Sequence, residues 1–347
     1  MAVHHRMAAT LAAWLCLTTP AALAEPPNLL AGRTIDFLVT GAPGDGYDVA
    51  ARLFARHLEA LLGQDTQVVV RNVTDGGGLL ALQQLFAAEP DGSTIVMMLS
   101  GLLLDQLLEP EAPDFALAEA TWIGKLTDST RVLLAAPAAP YNDLAGLLAA
   151  GEPQTLAANR ANSSATIDAL AINALLGTQL RPVYGYDTSG KVMAMLRGEV
   201  LLTTGTASSL ASLIQSPGVT LLLFIYKGGS AAHFGAAPTL AELAPPEGQR
   251  IVALLDTVAR FGRLMLGPPG LPPDVAAAWR DAFDRVTTDP VFLAEAKALK
   301  LEMAPLGGAE VGAAIRRLFA DSEGLRAEMN RLLDCGRARA EGSEAGC

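Results

Sequence analysis

The sequence predicts an α/β protein of two lobes with a cleft between them. Three observations carry this. Between residues 35 and 99, strand-forming runs alternate with amphipathic helical stretches, and βα steps of that length favour a parallel sheet with right-handed crossovers. A second βα set follows, and then a return strand and C-terminal helices, so that the chain crosses between the lobes twice. The composition agrees: 347 residues are enough for two ordinary cores, and 51% hydrophobic with 18% charged residues is globular. Aromatics are scarce at 5% while Ala, Leu and Gly abound, which suits close helix–sheet contacts better than an all-β sandwich.

The elements read in order as follows. IDFLVT (35–40) is a buried strand. Asp48 offers an N-cap, and Ala51, Phe54, Leu58 and Leu61 at helical spacing give an amphipathic helix over 49–62. TQVVVRN (66–72) is a second strand, followed by the TDGGG turn. LLALQQLFAAEP is a helix closed by Pro90 and Asp91-Gly92, and STIVMML (93–99) is a third strand ending at Ser100-Gly101. In the second set RVLLAAP (131–137) is a strand, and YNDLAGLLAAG is a short helix opened by Asn142 or Asp143. QTLAAN leads through RANSSAT into a helix over 167–176. LRPVYGYDTSG, KVMAMLRG and EVLLTTGTASS read as strand and loop, helix, then strand and loop, and VTLLLFIY (219–226) is a further strand. Residues 260–273 are a strand and a Pro/Gly-rich turn, and 274–333 are mostly helical. The expected segments are a first lobe over 25–135, a second over 136–258, and a return to the first over 259–347 with C-terminal helices and a polar tail.

The N-terminus is a separate matter. MAVHHRMAATLAAWLCLTTPAALAEPP has a short basic start at Arg6, no charge over 7–24, and the small residues Ala22 and Ala24 at the positions a signal peptidase reads. This is a secretory signal over 1–24, with cleavage before Glu25, and Pro20 and the cleavage site argue against the alternative of a membrane anchor. Trp14-Leu15 before Cys16 is a poor lipoprotein signal. Removing residues 1–24 takes the formal charge from −11 to −12, and a strongly acidic chain with no basic run is a poor nucleic-acid binder. Cys335 and Cys347 could pair across a short loop in an oxidising compartment, or stand as free thiols at a frayed terminus.

The residues give an enzyme little to work with. His57 lies on the first helix between Phe54 and Leu61, as a helix-face histidine would, and His233 has no acid or nucleophile beside it. No Cys/His/Asp cluster has metal-ligand spacing, no G-x-S-x-G elbow appears, and no Walker lysine follows a glycine loop. What remains is a set of loops at strand ends, rich in Gly, Ser, Thr and Asn: 41–48, 74–78, 100–101, 159–166, 185–190 and 203–209. Glycine lets the backbone approach a ligand, helix N-termini present free N–H groups, and hydroxyls add neutral donors. This is the chemistry of capturing a small polar ligand without transforming it, with no cofactor and no metal.

The segments also resemble a known family. Pro43-Gly44-Asp45-Gly46-Tyr47-Asp48-Val49-Ala50-Ala51-Arg52 stands where members have P-G-G-x-x-D-x-x-A-R, and Asn72–Gly78 is similar to N-x-x-G-x-G-G. Pro90–Thr94 matches P-D-G-x-T, GYDTSGKVMAMLRGEV (185–200) a helix and G-x-V turn, APTLAEL (237–243) V-P-T-x-x-E, and LMLGPPGLPPDV (264–275) L-x-A-P-x-G-x-P. The chain resembles, over about 30–333, the Bug-type periplasmic receptors of tripartite tricarboxylate transporters. The resemblance implies a type II periplasmic-binding-protein fold, two α/β lobes joined by a two-stranded hinge that close on a small carboxylate, and a monomer that meets membrane transporter subunits. Ligand contacts are then expected at Ala42, Gly44, Asp45, Gly46, Tyr47, Asp75, Gly76, Gly77, Ser100 and Gly101 of the first lobe, and at Asn159, Arg160, Asn162, Ser163, Ser164, Thr166, Tyr186, Thr204, Gly205 and Thr206 of the second.

Departures from the family pattern sharpen the question. Asp45 and Asp75 occupy positions usually held by glycine, and Gly205 lies about where many members carry an aspartate. Added carboxylates near a cleft repel an anionic ligand unless a cation offsets them. Arg160 is the expected cation, able to hold a carboxylate bidentately, with a solvated surface arginine as the alternative. Tyr47, Tyr184 and Tyr186 could wall the ligand body or pack the lobes. Two further functions stand beside delivery to a transporter: a ligand sensor signalling to a membrane kinase, and a secreted α/β enzyme using the glycine loop for phosphate.

Overall fold

The computed structural model describes residues 29–110, 114–228, 231–301, 303–320, 322–344 and 347. The expected signal segment lies outside them, as does the side chain of His233. The first part of the chain forms three βα units: β1 (Thr34–Val39), α1 (Gly46–Leu62), β2 (Gln67–Asn72), α2 (Leu79–Phe86), β3 (Thr94–Leu99) and α3 (Gly101–Leu108). β1 pairs parallel with both β2 and β3, as the apolar runs and short crossovers predict. β4 (Thr121–Thr127) is separated by only residues 128–130 from β5 (Arg131–Ala135). There follow α4 (Leu144–Leu148), β6 (Gln154–Ala157), α5 (Ser164–Leu176), β7 (Leu180–Val183), α6 (Thr188–Arg197), β8 (Leu202–Thr206), α7 (Ala211–Ile214), β9 (Thr220–Tyr226), α8 (Leu240–Leu243) and α9 (Gln249–Arg260). The chain ends with β10 (Arg263–Gly267), α10 (Pro273–Thr288), α11 (Pro290–Ala298), β11 (Met303–Gly307), α12 (Gly308–Ala320) and α13 (Ser322–Ala340).

These strands make two sheets, ordered β11-β4-β10-β3-β1-β2 and β7-β6-β8-β5-β9. The βα units over 35–99 pair in parallel as expected, but both sheets are mixed. β10 runs antiparallel to β3 and β4, and β5 runs antiparallel to β8 and β9. The reason is topological: a chain that leaves one sheet and later returns to it re-enters without a βα crossover. β5, which lies within the expected first segment, is hydrogen-bonded in the second sheet. β4 and β11 had no sequence signal of their own. β4 carries Gly124 and Lys125 in its interior, and that lysine is held by Asp128 at 2.7 Å.

Four phenylalanines gather on one face of the first sheet. Phe54 of α1 meets Phe37, Phe283 and Phe292 with ring centroids 5.9–6.4 Å apart, and Trp279 is fully buried beside them. A second apolar cluster runs through α3, α9, α5 and α13 and joins the two sheets' helical layers.

α13 runs to Ala340, into the polar tail expected after residue 333, and lies along α5. Asn173 of α5 donates Nδ2 to the carbonyls of Gly336 (3.1 Å) and Leu180 (2.9 Å), and Arg339 donates back to the Asn173 carbonyl at 2.9 Å. Cys335 and Cys347 form a disulfide, Cα atoms 4.7 Å apart, which ties the last residue to α13. At Gly336 the two helices touch backbone to backbone: a Cβ there would overlap the Leu170 carbonyl. Gly324, on the same helix, has nothing near its own Cβ position. Chemical denaturation of the two alanine variants should therefore diverge. Gly324→Ala is expected to stabilise by about 0.5–1 kcal/mol through helix propensity, and Gly336→Ala to destabilise by about 1–3 kcal/mol through overpacking.

Candidate functional site

The loop between β1 and α1 closes on its own carboxylate. Asp45 Oδ1 accepts from the N–H groups of Tyr47 (2.8 Å) and Asp48 (3.0 Å), and Oδ2 accepts from Ala42 N–H (2.9 Å). Asp45, with extended backbone at φ −76 and ψ 174, is the N-cap of the 17-residue α1. The expected cap was Asp48, but that residue already lies inside the first turn. Its Oδ2 accepts from Gly44 N–H (2.8 Å) and its Oδ1 from Arg52 Nε (2.9 Å). Burial pushes the Asp45 carboxyl above its ordinary range, and the three N–H donors and Arg263 pull the other way. The N-terminal end of α1, where backbone donors and the helix dipole favour an anion, is thus filled from within the chain.

Behind this loop sits Arg263, 1% exposed, at the start of β10. Its Nε donates to Gly46 O (2.9 Å), Nη1 to Thr127 Oγ1 (2.9 Å) and Nη2 to Ser208 Oγ (3.0 Å). The guanidinium also lies 4.8 Å over the Tyr47 ring, whose hydroxyl donates to Gly262 O at 3.2 Å. One side chain therefore joins α1, the end of β4 and the loop after β8.

The second sheet supplies the opposite charge. Arg131, opening β5, is ion-paired with Asp168 of α5. Lys191, in the first turns of α6, is 6% exposed and has no hydrogen-bond or ion-pair partner among the described residues. Burial and then Arg131 lower its ammonium to about 8, against the opposing pull of Asp168 and Asp187. A charged amine held out of water without a partner is costly, and an anion beside it removes the cost. Asp45, Tyr47, Arg131, Lys191 and the hydroxyl-bearing Ser100, Ser164, Thr204 and Thr206 line one cavity of about 130 Å³. That volume holds on the order of ten water-sized positions.

Above the cavity the two halves touch along a seam. Arg160, from the loop after β6, is ion-paired with Asp105 of α3, and Asn162 Nδ2 donates to Glu109. Burial raises the Asp105 carboxyl to about 6, more than Arg160 lowers it, and Glu109 adds to the rise. Three glycines of the first half face side chains of the second at van der Waals distance or less. A Cβ at Gly46 would overlap Arg263 and also meet Ser209 and Ser208 across the seam, one at Gly77 would meet Arg160, and one at Gly101 would overlap the Ser164 hydroxyl. Gly76, Gly77 and Gly78 also share left-handed backbone, φ 60 to 97, which L side chains rarely adopt.

Of the residues singled out from sequence, Asp45, Tyr47, Gly77, Ser100, Gly101, Asn159, Arg160, Ser163, Ser164, Thr204, Gly205 and Thr206 line this cavity. Ala42, Gly44, Gly46, Asp75, Gly76, Asn162, Thr166 and Tyr186 do not. Gly46 is at the seam, and Thr166 is buried with its hydroxyl on Arg160 O (2.7 Å). Tyr186 packs into the core around Met195, Asp75 is exposed, and Tyr184 is 51% exposed. Arg160, expected as the ligand's cation, has its charge committed to Asp105. The cations that sequence reasoning missed are Arg131, Lys191 and Arg263. Their only signal is position: Arg131 and Arg263 each open an apolar strand, and Lys191 follows a capped helix start.

Comparison with known proteins places this arrangement. A family model described as the tripartite tricarboxylate transporter family receptor matches residues 50–307. The protein BugT of Bordetella pertussis is 28% identical over 221 residues, 62% of this chain and 67% of BugT. Among solved structures, MatC of Rhodopseudomonas palustris with bound malate superposes with a TM-score of 0.67 at 20% identity, covering 88% of this chain and 99% of that one. An R. palustris protein with adipate gives 0.72 at 16% identity, covering 86% and 97%. At those identities the structures show the fold, two α/β lobes of the periplasmic-binding-protein type.

Two measurements probe the seam. Gly101→Ala should hold α3 away from α5 and enlarge the radius of gyration in solution scattering, and adding Ser164→Gly should restore the wild-type value. Asp105 has an ordinary pKa of 3.8 and about 6 in the seam, so closing over it takes up a proton. Its contribution is full below about pH 4 and is lost as pH rises through 6. Scattering should show a more compact protein at pH 5 than at pH 7, and Asp105→Asn should remove that difference.

Proposed function

The chain belongs to the tripartite tricarboxylate transporter receptor family, and from that premise we propose that it is an exported receptor for a small organic acid. The acid's carboxylate sits on Arg131 and Lys191 between the two sheets, and the loaded protein is presented to the membrane subunits of a tripartite transporter. The observation that carries this reading is Lys191, a buried ammonium that lines the cavity with no partner of its own among the described residues. Arg131 is held in place by Asp168, which leaves the rest of its planar fork for a second, charge-assisted contact. The hydroxyls of Ser100, Ser164, Thr204 and Thr206 add neutral donors around the same space. Malate and adipate in the two superposed relatives support a carboxylate as the ligand class.

Holding is the whole of the proposed chemistry. The cavity's ionisable groups are Arg131 and Lys191, the Arg160–Asp105 ion pair, the Tyr47 phenol and the Asp45 carboxylate occupied by backbone donors, and among the described residues neither carboxylate accepts a hydrogen bond from a cavity hydroxyl as a general base would. What the groups can do is favour closure. A ligand touching Ser100 and Asp45 on one side and Arg131 and Lys191 on the other binds the closed form better, and shifts the hinge by that difference in affinity.

Titration calorimetry of residues 25–347 against a panel of mono- and dicarboxylates tests this. Binding of at least one acid is expected, and a folded protein that binds none and carries no copurified acid would refute the reading. Lys191→Met should weaken the acid that binds by about tenfold or more, the worth of one charge-assisted contact. The unliganded ammonium titrates near 8 and an anion raises it, so binding takes up a proton above that pH. Wild-type affinity should fall as pH rises through 8 to 10, and Lys191→Met should lose that slope.

A further inference from the structure

The two walls of the cavity are not alike in charge. The second-sheet wall carries Arg131, Lys191 and Arg160, with Asp168 paired to Arg131 and Asp187 also within electrostatic reach of Lys191. The first-sheet wall carries two acids, Asp105, which is ion-paired with Arg160, and the Asp45 carboxylate at the N-terminus of α1. In an α/β cleft a helix N-terminus is where a second anionic group of a ligand would find backbone donors. Here the donors of Ala42, Tyr47 and Asp48 are already taken by Asp45, at 2.8–3.0 Å. Arg263, the nearest cation behind them, spends its donors on Gly46 O, Thr127 and Ser208. A carboxylate arriving at the α1 end of this wall meets no free donor of that set and the like charge of Asp45, while the wall's other acid, Asp105, is paired with Arg160.

We infer that Asp45 stands in for a second ligand carboxylate, so that the ligand carries a single carboxylate and turns a neutral or hydrogen-bond-donating end toward α1. This rests on the carboxylate reading of Arg131 and Lys191 above and names the subclass of acid. The geometry allows the far end to be more than tolerated. An ionised carboxylate has about four acceptor positions, and three backbone N–H groups use three of them. A hydroxyl or ammonium on the ligand can use the fourth. The same carboxylate that repels a dicarboxylate thereby rewards a hydroxy or amino acid, and discrimination comes from both at once. Asp45 and the Arg131–Lys191 pair line one cavity of only about 130 Å³, so a bound dicarboxylate that reaches both walls brings its second carboxylate close to Asp45.

The test uses matched probes that differ only at one end: succinate against 4-hydroxybutyrate, and adipate against 6-hydroxyhexanoate, by calorimetry on residues 25–347 at one pH and salt concentration. The wild type should bind the hydroxy acid of the better-fitting pair about tenfold or more tighter than its dicarboxylate. Asp45→Ser keeps a side-chain oxygen for the helix cap and removes the charge. That variant should narrow the ratio by a similar factor, mainly by tightening the dicarboxylate, and Asp45→Asn should do so in the same direction. A wild type that prefers the dicarboxylate, or a preference that both variants leave unchanged, overturns the inference while leaving the receptor reading intact. Should no acid of either pair, nor of the wider panel, bind the folded wild type, the receptor reading itself fails and this inference with it.

Discussion

Arg263 is the constraint around which the cleft is organised. Its guanidinium is charged at any accessible pH and is 1% exposed, so its donors must all be met within the protein. Meeting them fixes three separate pieces of chain: the carbonyl of Gly46 at the start of α1, the hydroxyl of Thr127 where β4 ends, and Ser208 beyond β8. Those pieces are one wall of the cavity, the crossing strand and the opposite wall. The charge must also be balanced, and the acid whose titration responds to Arg263 is Asp45. An aspartate where the family pattern has glycine thus looks less like an intruder in an anion site than the counter-charge of a buried arginine, held by the helix that the arginine positions.

The balance leaves the two walls in different electrostatic states. On the first wall a carboxylate, a helix N-terminus and a buried guanidinium satisfy one another. On the second, Arg131 and Asp168 cancel and Lys191 is left over, lowered to about 8 by burial and by its neighbour. A site with one unsatisfied charge on one side is primed for one opposite charge. Stability gives no reason to keep such a lysine, since an apolar residue of similar size would fill the same space without the desolvation cost. Its retention in the cavity is intelligible if something anionic spends time there.

Much of this fold was legible in the sequence because its signals are local. The apolar runs of β1, β3 and β9 and the spacing of Ala51, Phe54 and Leu58 depend only on which faces are buried. The glycine and hydroxyl loops could be placed at strand ends for the same reason, and twelve of the twenty residues singled out line the cavity. What escaped depends on tertiary partners. β4 reads as polar until Asp128 is seen to hold Lys125. Asp48 reads as the cap until the backbone at 45 is seen to be extended and Asp45 to hold that position. Arg131, Lys191 and Arg160 are one residue class in the sequence, and only packing distinguishes a paired cation in the wall, an unpaired one, and one spent across the seam. The disulfide is of the same kind: both cysteines were visible, but α13 had to run past residue 335 to bring Cys347 back to it.

The glycines separate two uses of the same freedom. A glycine-rich loop at a strand end suggests backbone brought close to a ligand, and Gly77 and Gly101 do reach the cavity. Yet the atoms that a Cβ would meet at Gly77 and Gly101 belong to Arg160 and Ser164 in the other half of the protein, and at Gly46 they belong first to Arg263 and then to Ser209 and Ser208 across the seam. These positions are small because the halves must meet there. Closure then draws on several contacts at once: the Arg160–Asp105 pair, the Arg263–Ser208 hydrogen bond and the glycine seam. Each of them joins the two halves, and all are lost together when the halves part. The seam brings one liability, the buried Asp105 carboxyl, and the cavity brings another, the unpaired Lys191 ammonium. With both in place the empty closed form is held back, and an anion at Lys191 relieves the second. A receptor needs that asymmetry, because a form that closed equally well without its ligand would carry no information to whatever reads its shape.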